Sequence, residues 1–156
     1  MMRVLSKLLF TILLATLTAA CGDTGKIKKS NTTNQKIMKE KLQIRVNKKT
    51  LTATLYDSAA TRDFIAQLPL SLTLSDYHGI EKVANLPKKL SKSGSASGYD
   101  PSIGDITYYA PWGNLAIFYR DFNYADGLIL IGKIDKNGIK ELAVSGEVKI
   151  TIDLLK

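Results

Sequence analysis

Leu42-Gln-Ile-Arg-Val-Asn-Lys-Lys-Thr-Leu-Thr-Ala-Thr-Leu-Tyr56 alternates apolar and polar side chains through Leu42, Ile44 and Val46, and again through Leu51, Ala53 and Leu55. Successive side chains of a strand point to opposite faces, so each half offers one apolar face. The polar break at Asn47-Lys-Lys49 joins the halves as a hairpin. The same period returns in Leu70-Ser-Leu-Thr-Leu-Ser-Asp-Tyr77, and Ile80 to Leu86 forms another short extended run. Further strands are predicted over Ile106–Tyr109, Leu115–Tyr119, Leu128–Ile134 and Val148–Leu154. A short helix is expected from a cap at Asp57 or Ser58 to about Leu68, with Ala60, Phe64 and Leu68 on one face and Pro69 ending it. Asp135–Gly138 reads as a turn, and Ile139 to Val144 as a helical turn. Residues 87–104, with Pro87, Pro101 and Ser/Gly repeats, read as a long irregular loop. About eight short strands with one or two short helices predict a mainly β fold, a closed or nearly closed eight-stranded barrel over residues 42–156.

The 156 residues accommodate this one domain plus attachments. One Cys and one His exclude an intramolecular disulfide and any Cys-rich or multi-His metal site, so neither metal nor cofactor is expected. The net charge of +8 is unevenly placed. Residues 1–41 hold eight Lys/Arg against Asp23 and Glu40, whereas residues 42–156 are nearly neutral. A nucleic-acid binder puts its basic excess on the folded reading surface, so nucleic acid is not the expected partner.

The excess belongs to an address. A short basic start, an apolar run from Leu8 to Ala20 and small residues before Cys21 make residues 1–20 a signal peptide. The run is too short to span a bilayer, which takes roughly 20 apolar residues. Leu17-Thr-Ala-Ala-Cys21 resembles a bacterial lipobox, which implies cleavage before Cys21 and a diacylglycerol on its thiol. Residues 21–41 then form a polar, Lys-rich tether without periodicity. The chain is expected in the bacterial cell envelope as a membrane-anchored lipoprotein.

Motifs that carry chemistry are scarce. Gly94-Ser-Ala-Ser-Gly98 has Ala96 where a nucleophile elbow needs Ser, and no phosphate-binding glycine motif occurs. His78 stands between Tyr77 and Gly79 without a partner in the pattern and reads as a turn histidine. Aromatic residues, by contrast, crowd together: Tyr99, Tyr108, Tyr109, Trp112, Phe118, Tyr119, Phe122 and Tyr124 fall within 26 positions. Alternation sends Tyr108 and Tyr109 to opposite faces, and likewise Phe118 and Tyr119. Such residues either pack the barrel ends or form a rim that binds a peptide or apolar ligand. Tyr109, Trp112, Asn114, Phe118 and Arg120 are the candidate ligand-binding residues.

Gly104-Asp-Ile-Thr-Tyr-Tyr-Ala-Pro-Trp-Gly-Asn-Leu-Ala-Ile-Phe-Tyr119, with Gly127-Leu-Ile-Leu-Ile-Gly-Lys-Ile134, Leu51-Thr-Ala-Thr-Leu-Tyr-Asp57 and Leu68-Pro-Leu70, resembles the small bacterial cyclophilin-like domain family. The resemblance covers residues 42–156 and implies an eight-stranded closed barrel with two helices. More distantly, Leu130-Ile-Gly-Lys-Ile134 and Val148-Lys-Ile-Thr-Ile152 resemble the end of true cyclophilins, which are peptidyl-prolyl isomerases. Those enzymes polarise the prolyl amide with an Arg from a Phe-His-Arg strand. The corresponding region here, Gly79-Ile-Glu-Lys-Val-Ala84, has neither that Arg nor the Phe-His pair. No catalytic residue carries over. The expectation is a non-catalytic module binding a peptide, ligand or envelope protein. The alternatives are an envelope peptidyl-prolyl isomerase and a barrel that docks onto a larger assembly.

Overall fold

The computed structural model describes residues 35–156, so the signal peptide, Cys21 and most of the tether lie outside the described residues. In chain order the elements are β1 (Ile37–Val46), β2 (Lys49–Tyr56), α1 (Ala59–Ile65), β3 (Leu70–Tyr77), β4 (Glu81–Asn85), β5 (Gly98–Tyr99), β6 (Asp105–Tyr109), β7 (Asn114–Phe118), β8 (Ala125–Asp126), β9 (Leu128–Ile134), a 3-10 turn (Gly138–Glu141) and β10 (Val148–Leu154). Eight strands close a barrel in the order β1-β10-β3-β4-β7-β6-β9-β2, while β5 and β8 pair separately. Every pairing is antiparallel. The fold is the mainly β closed barrel expected from the alternation.

The inward phase of each strand supplies the core. Leu42, Ile44 and Val46 of β1 and Leu51, Ala53 and Leu55 of β2 meet Ile106 and Tyr108 of β6, Leu115 and Ile117 of β7, and Ile150 and Ile152 of β10, all at most 7% exposed. Ala60 and Phe64 of α1 pack onto the same cluster. Ser58 starts the helix by accepting a hydrogen bond from the Thr61 amide at 3.0 Å. The helix stops at Ile65, three residues short of Leu68. There the amides of Gln67 and Leu68 bond to Phe64 and Ile65, three residues back, which tightens the chain out of the α conformation. Leu68 still packs against the core.

The structure departs from the sequence pattern in two further places. The first strand begins at Ile37, inside the segment 21–41 that reads as tether. Ile37 pairs with Tyr56 across an irregularity before regular pairing resumes at Lys41, and the added residues are mostly exposed, so no alternation announces them. The segment 87–104 is docked rather than free. Leu90 enters the core, Lys88 exchanges hydrogen bonds with the Gln67 side chain, and the Ser91 amide donates to Asp63 at 2.8 Å. Its end forms β5 and pairs with β8, where Gly98 is required because a Cβ would sit 2.3 Å from the Ala125 carbonyl oxygen.

Candidate functional site

A second apolar cluster lies on the outside of the barrel. In β7 the inward residues are Leu115 and Ile117, so Ala116 and Phe118 face the other way, as do Val83 of β4, Tyr109 of β6 and Leu128 of β9. These side chains floor a groove of about 320 Å³. Tyr77 and His78 border it from the β3–β4 turn, Trp112 from the β6–β7 turn, and Phe122 and Ala125 from the segment after β7.

The aromatic rings brace one another. Trp112 meets Tyr109 edge to face at 5.4 Å and Tyr77 at 5.9 Å, with planes nearly perpendicular in both pairs. His78 is edge-on to Tyr77 at 4.3 Å, and Phe118 stacks on Phe122 at 6.4 Å. Such pairs hold aromatic side chains in place beyond what burial alone provides. Trp112 is 61% exposed despite these contacts, a large apolar surface left to solvent at the rim.

Besides His78 and the polar ends of the tyrosines and Trp112, the wall carries two polar side chains, Glu81 and Asn114. Glu81 of β4 lines the groove, and partial burial pushes its carboxyl up to about 7. That carboxyl has no hydrogen bond or ion pair among the described residues. Asn114 is 5% exposed, and its side-chain oxygen is buried without a hydrogen-bond partner. Neighbouring Lys82 takes the opposite face of β4. Its ammonium is fully buried and donates to Asp76 Oδ1 at 2.8 Å and to the carbonyls of Val144 and Gly146. The Lys82 hydrogen bond, seconded by one from Tyr119, holds the Asp76 carboxyl below its usual range. Among the described residues no three His, Cys, Asp or Glu side chains come together to hold a metal ion.

Of the residues singled out in the sequence, Tyr109, Trp112, Asn114 and Phe118 line this one groove. Arg120 does not. The strand ends at Phe118, the amides of Tyr119 and Arg120 both turn to the Ile80 carbonyl, and the Arg120 side chain is left exposed outside the lining. Tyr108 points into the barrel core and is 1% exposed. The pattern missed Tyr77, His78, Glu81 and Val83. The only signal for them was the short extended run after His78, and two adjacent charges within it concealed which side faced out.

A larger and more open hollow of about 590 Å³ lies over β1, β10 and β3, lined by Arg45, Lys149, Leu72, Ile150 and short polar side chains, and it holds no aromatic residue. The model of a cyclophilin-like family matches residues 44–153, which include every strand that lines the groove. The comparison with curated proteins found no match.

Proposed function

Because the chain belongs to the cyclophilin-like family, we propose that this groove is the working surface of a non-catalytic peptide-binding module, held at the bacterial cell envelope through a lipidated Cys21. The observation that carries the reading is the sign of the charge on the wall. Polarising a prolyl amide needs a donor or cation set where negative charge develops on the carbonyl oxygen. In the region that corresponds to the arginine-bearing strand of true cyclophilins, the groove-facing residues are Glu81 and Val83, a carboxylate and an apolar group. Arg120, the one arginine of the aromatic stretch 99–124, is outside the lining. Aromatic walls around an apolar floor, with a few polar groups, suit a peptide side chain.

The envelope location rests on the basic start, the 13-residue apolar run and the small residues before Cys21. Labelled fatty acid is expected in the wild-type chain and not in Cys21→Ser, which should leave the membrane fraction; an unchanged distribution would remove the anchor. Binding and catalysis are separated by NMR of the full-length chain mixed with a short Ala-Pro peptide. Shifts at groove amides without cis/trans exchange peaks are expected. Exchange peaks at sub-stoichiometric protein would make this an isomerase instead.

A further inference from the structure

Resting on that reading of the groove, we propose that its preferred occupant is a basic side chain of a peptide, lysine or arginine, whose methylene stem lies on the aromatic wall and whose charged end meets the Glu81 carboxylate. Among the described residues the one carboxyl that lines the wall, Glu81, has no ion pair, and the buried Asn114 side-chain oxygen has no hydrogen bond, so a cationic donor would serve both. A carboxyl in apolar surroundings without a counter-ion is costly when ionised, and an incoming cation removes that cost. The rings complete the chemistry. Trp112 stands at near right angles to both Tyr77 and Tyr109 around the same hollow, and an organic cation against such rings gains from their quadrupoles. Long basic side chains also bury an apolar stem while keeping a polar end, which matches a wall that is mostly apolar with two acceptors.

The charged groups and the tyrosine near Glu81 are placed away from its carboxyl or bonded to other partners. Lys82 is on the far face of β4 with Asp76 and two carbonyls, Tyr119 donates to Asp76, and Arg120 is outside the lining. Asp121 accepts from the Ile103 amide. His78 is the one other titratable side chain from the β3–β4 turn that lines the groove besides Tyr77. Burial favours the protonated form of Glu81 and a bound cation favours the ionised form, so binding releases a proton and tightens as pH rises through about 7.

Trp112 is the only tryptophan of the chain, so its fluorescence reads the groove directly. The full-length chain is titrated with a capped Ala-Ala-Lys-Ala-Ala peptide and with its norleucine counterpart, which keeps the stem and removes the charge. The lysine peptide is expected to bind about tenfold tighter. The preference should widen from about pH 6 to about pH 8 and collapse in Glu81→Gln. Equal binding of the two peptides, or a lysine preference that survives Glu81→Gln, overturns the proposal while leaving a peptide groove standing. Silence of Trp112 with both peptides and with an Ala-Pro peptide overturns the groove as well. Should Glu81→Gln fail to fold, the wild-type chain still decides. Tetramethylammonium chloride is expected to compete with the lysine peptide more strongly than sodium chloride at equal ionic strength, and equal competition overturns the proposal.

Discussion

At the scale of single residues, Glu81 and Lys82 are the informative pair. They are adjacent on β4 and take opposite faces, one into an apolar groove and the other into a fully buried contact at the barrel wall. For Glu81 the folded value of about 7 lies above the ordinary 4.5, so between those limits the folded chain holds the proton more tightly than the unfolded one. Stability therefore falls as pH rises across that window and levels off above it. Thermal melts should show Glu81→Gln gaining on wild type at pH 8 relative to pH 5; parallel melting profiles would mean that the carboxyl is solvated. Asp76 behaves in the opposite sense. Its carboxyl is held below 3.8, so its contribution is present above that value and is lost as pH falls through the lowered one. Neither role was legible in the sequence. Alternation says that Glu81 and Lys82 diverge, but their chemistry predicts that both seek water, and only Asp76 and the carbonyls of Val144 and Gly146, brought to its ammonium by the fold, explain why Lys82 does not.

At the scale of elements, β3 and β10 run over the residues that alternation marks, and β9 over the mostly apolar run Leu128–Ile134, which is buried on both faces. β5 and β8 are two residues each, too short to carry a period, and exist because a docked loop brings Gly98 against Ala125. The helix start was legible through the side chain of Ser58, and its end was not, because the tightening after Ile65 is a matter of backbone conformation. Ser58→Ala should cost about 1 kcal/mol of stability by denaturant titration, the usual worth of such a cap. Asp135, after β9, joins three elements by accepting from Thr52 at 2.8 Å, Thr54 at 2.7 Å and Lys41 at 2.9 Å. Removing a charged acceptor from several donors is expected to cost about 2 kcal/mol in Asp135→Ala, measured the same way. A loss within error would mean that water replaces all three bonds.

At the scale of the whole molecule, closure of the barrel puts β4 between β3 and β7 and sets β10, the last strand, between β1 and β3. Lys82 then ties β4 to the segment before β10 through Val144 and Gly146. Lys82→Met keeps most of the side-chain volume but strips the charge from its three acceptors, with an expected loss of about 3 kcal/mol. Hydrogen exchange near residues 143–147 should accelerate beyond what the global loss accounts for, since that tie is local; uniform acceleration would deny Lys82 this role. The sequence by itself determined the fold class, the course of the barrel strands and the part of the groove carried by Tyr109, Trp112, Asn114 and Phe118. Those features are written in local periods and in a local cluster of aromatics. Only the tertiary structure decided that Tyr77, His78, Glu81 and Val83 complete the groove and that Arg120 is left outside it. Which side chains meet across a sheet depends on strand order and register, and these follow from closing the whole barrel, which no local pattern encodes.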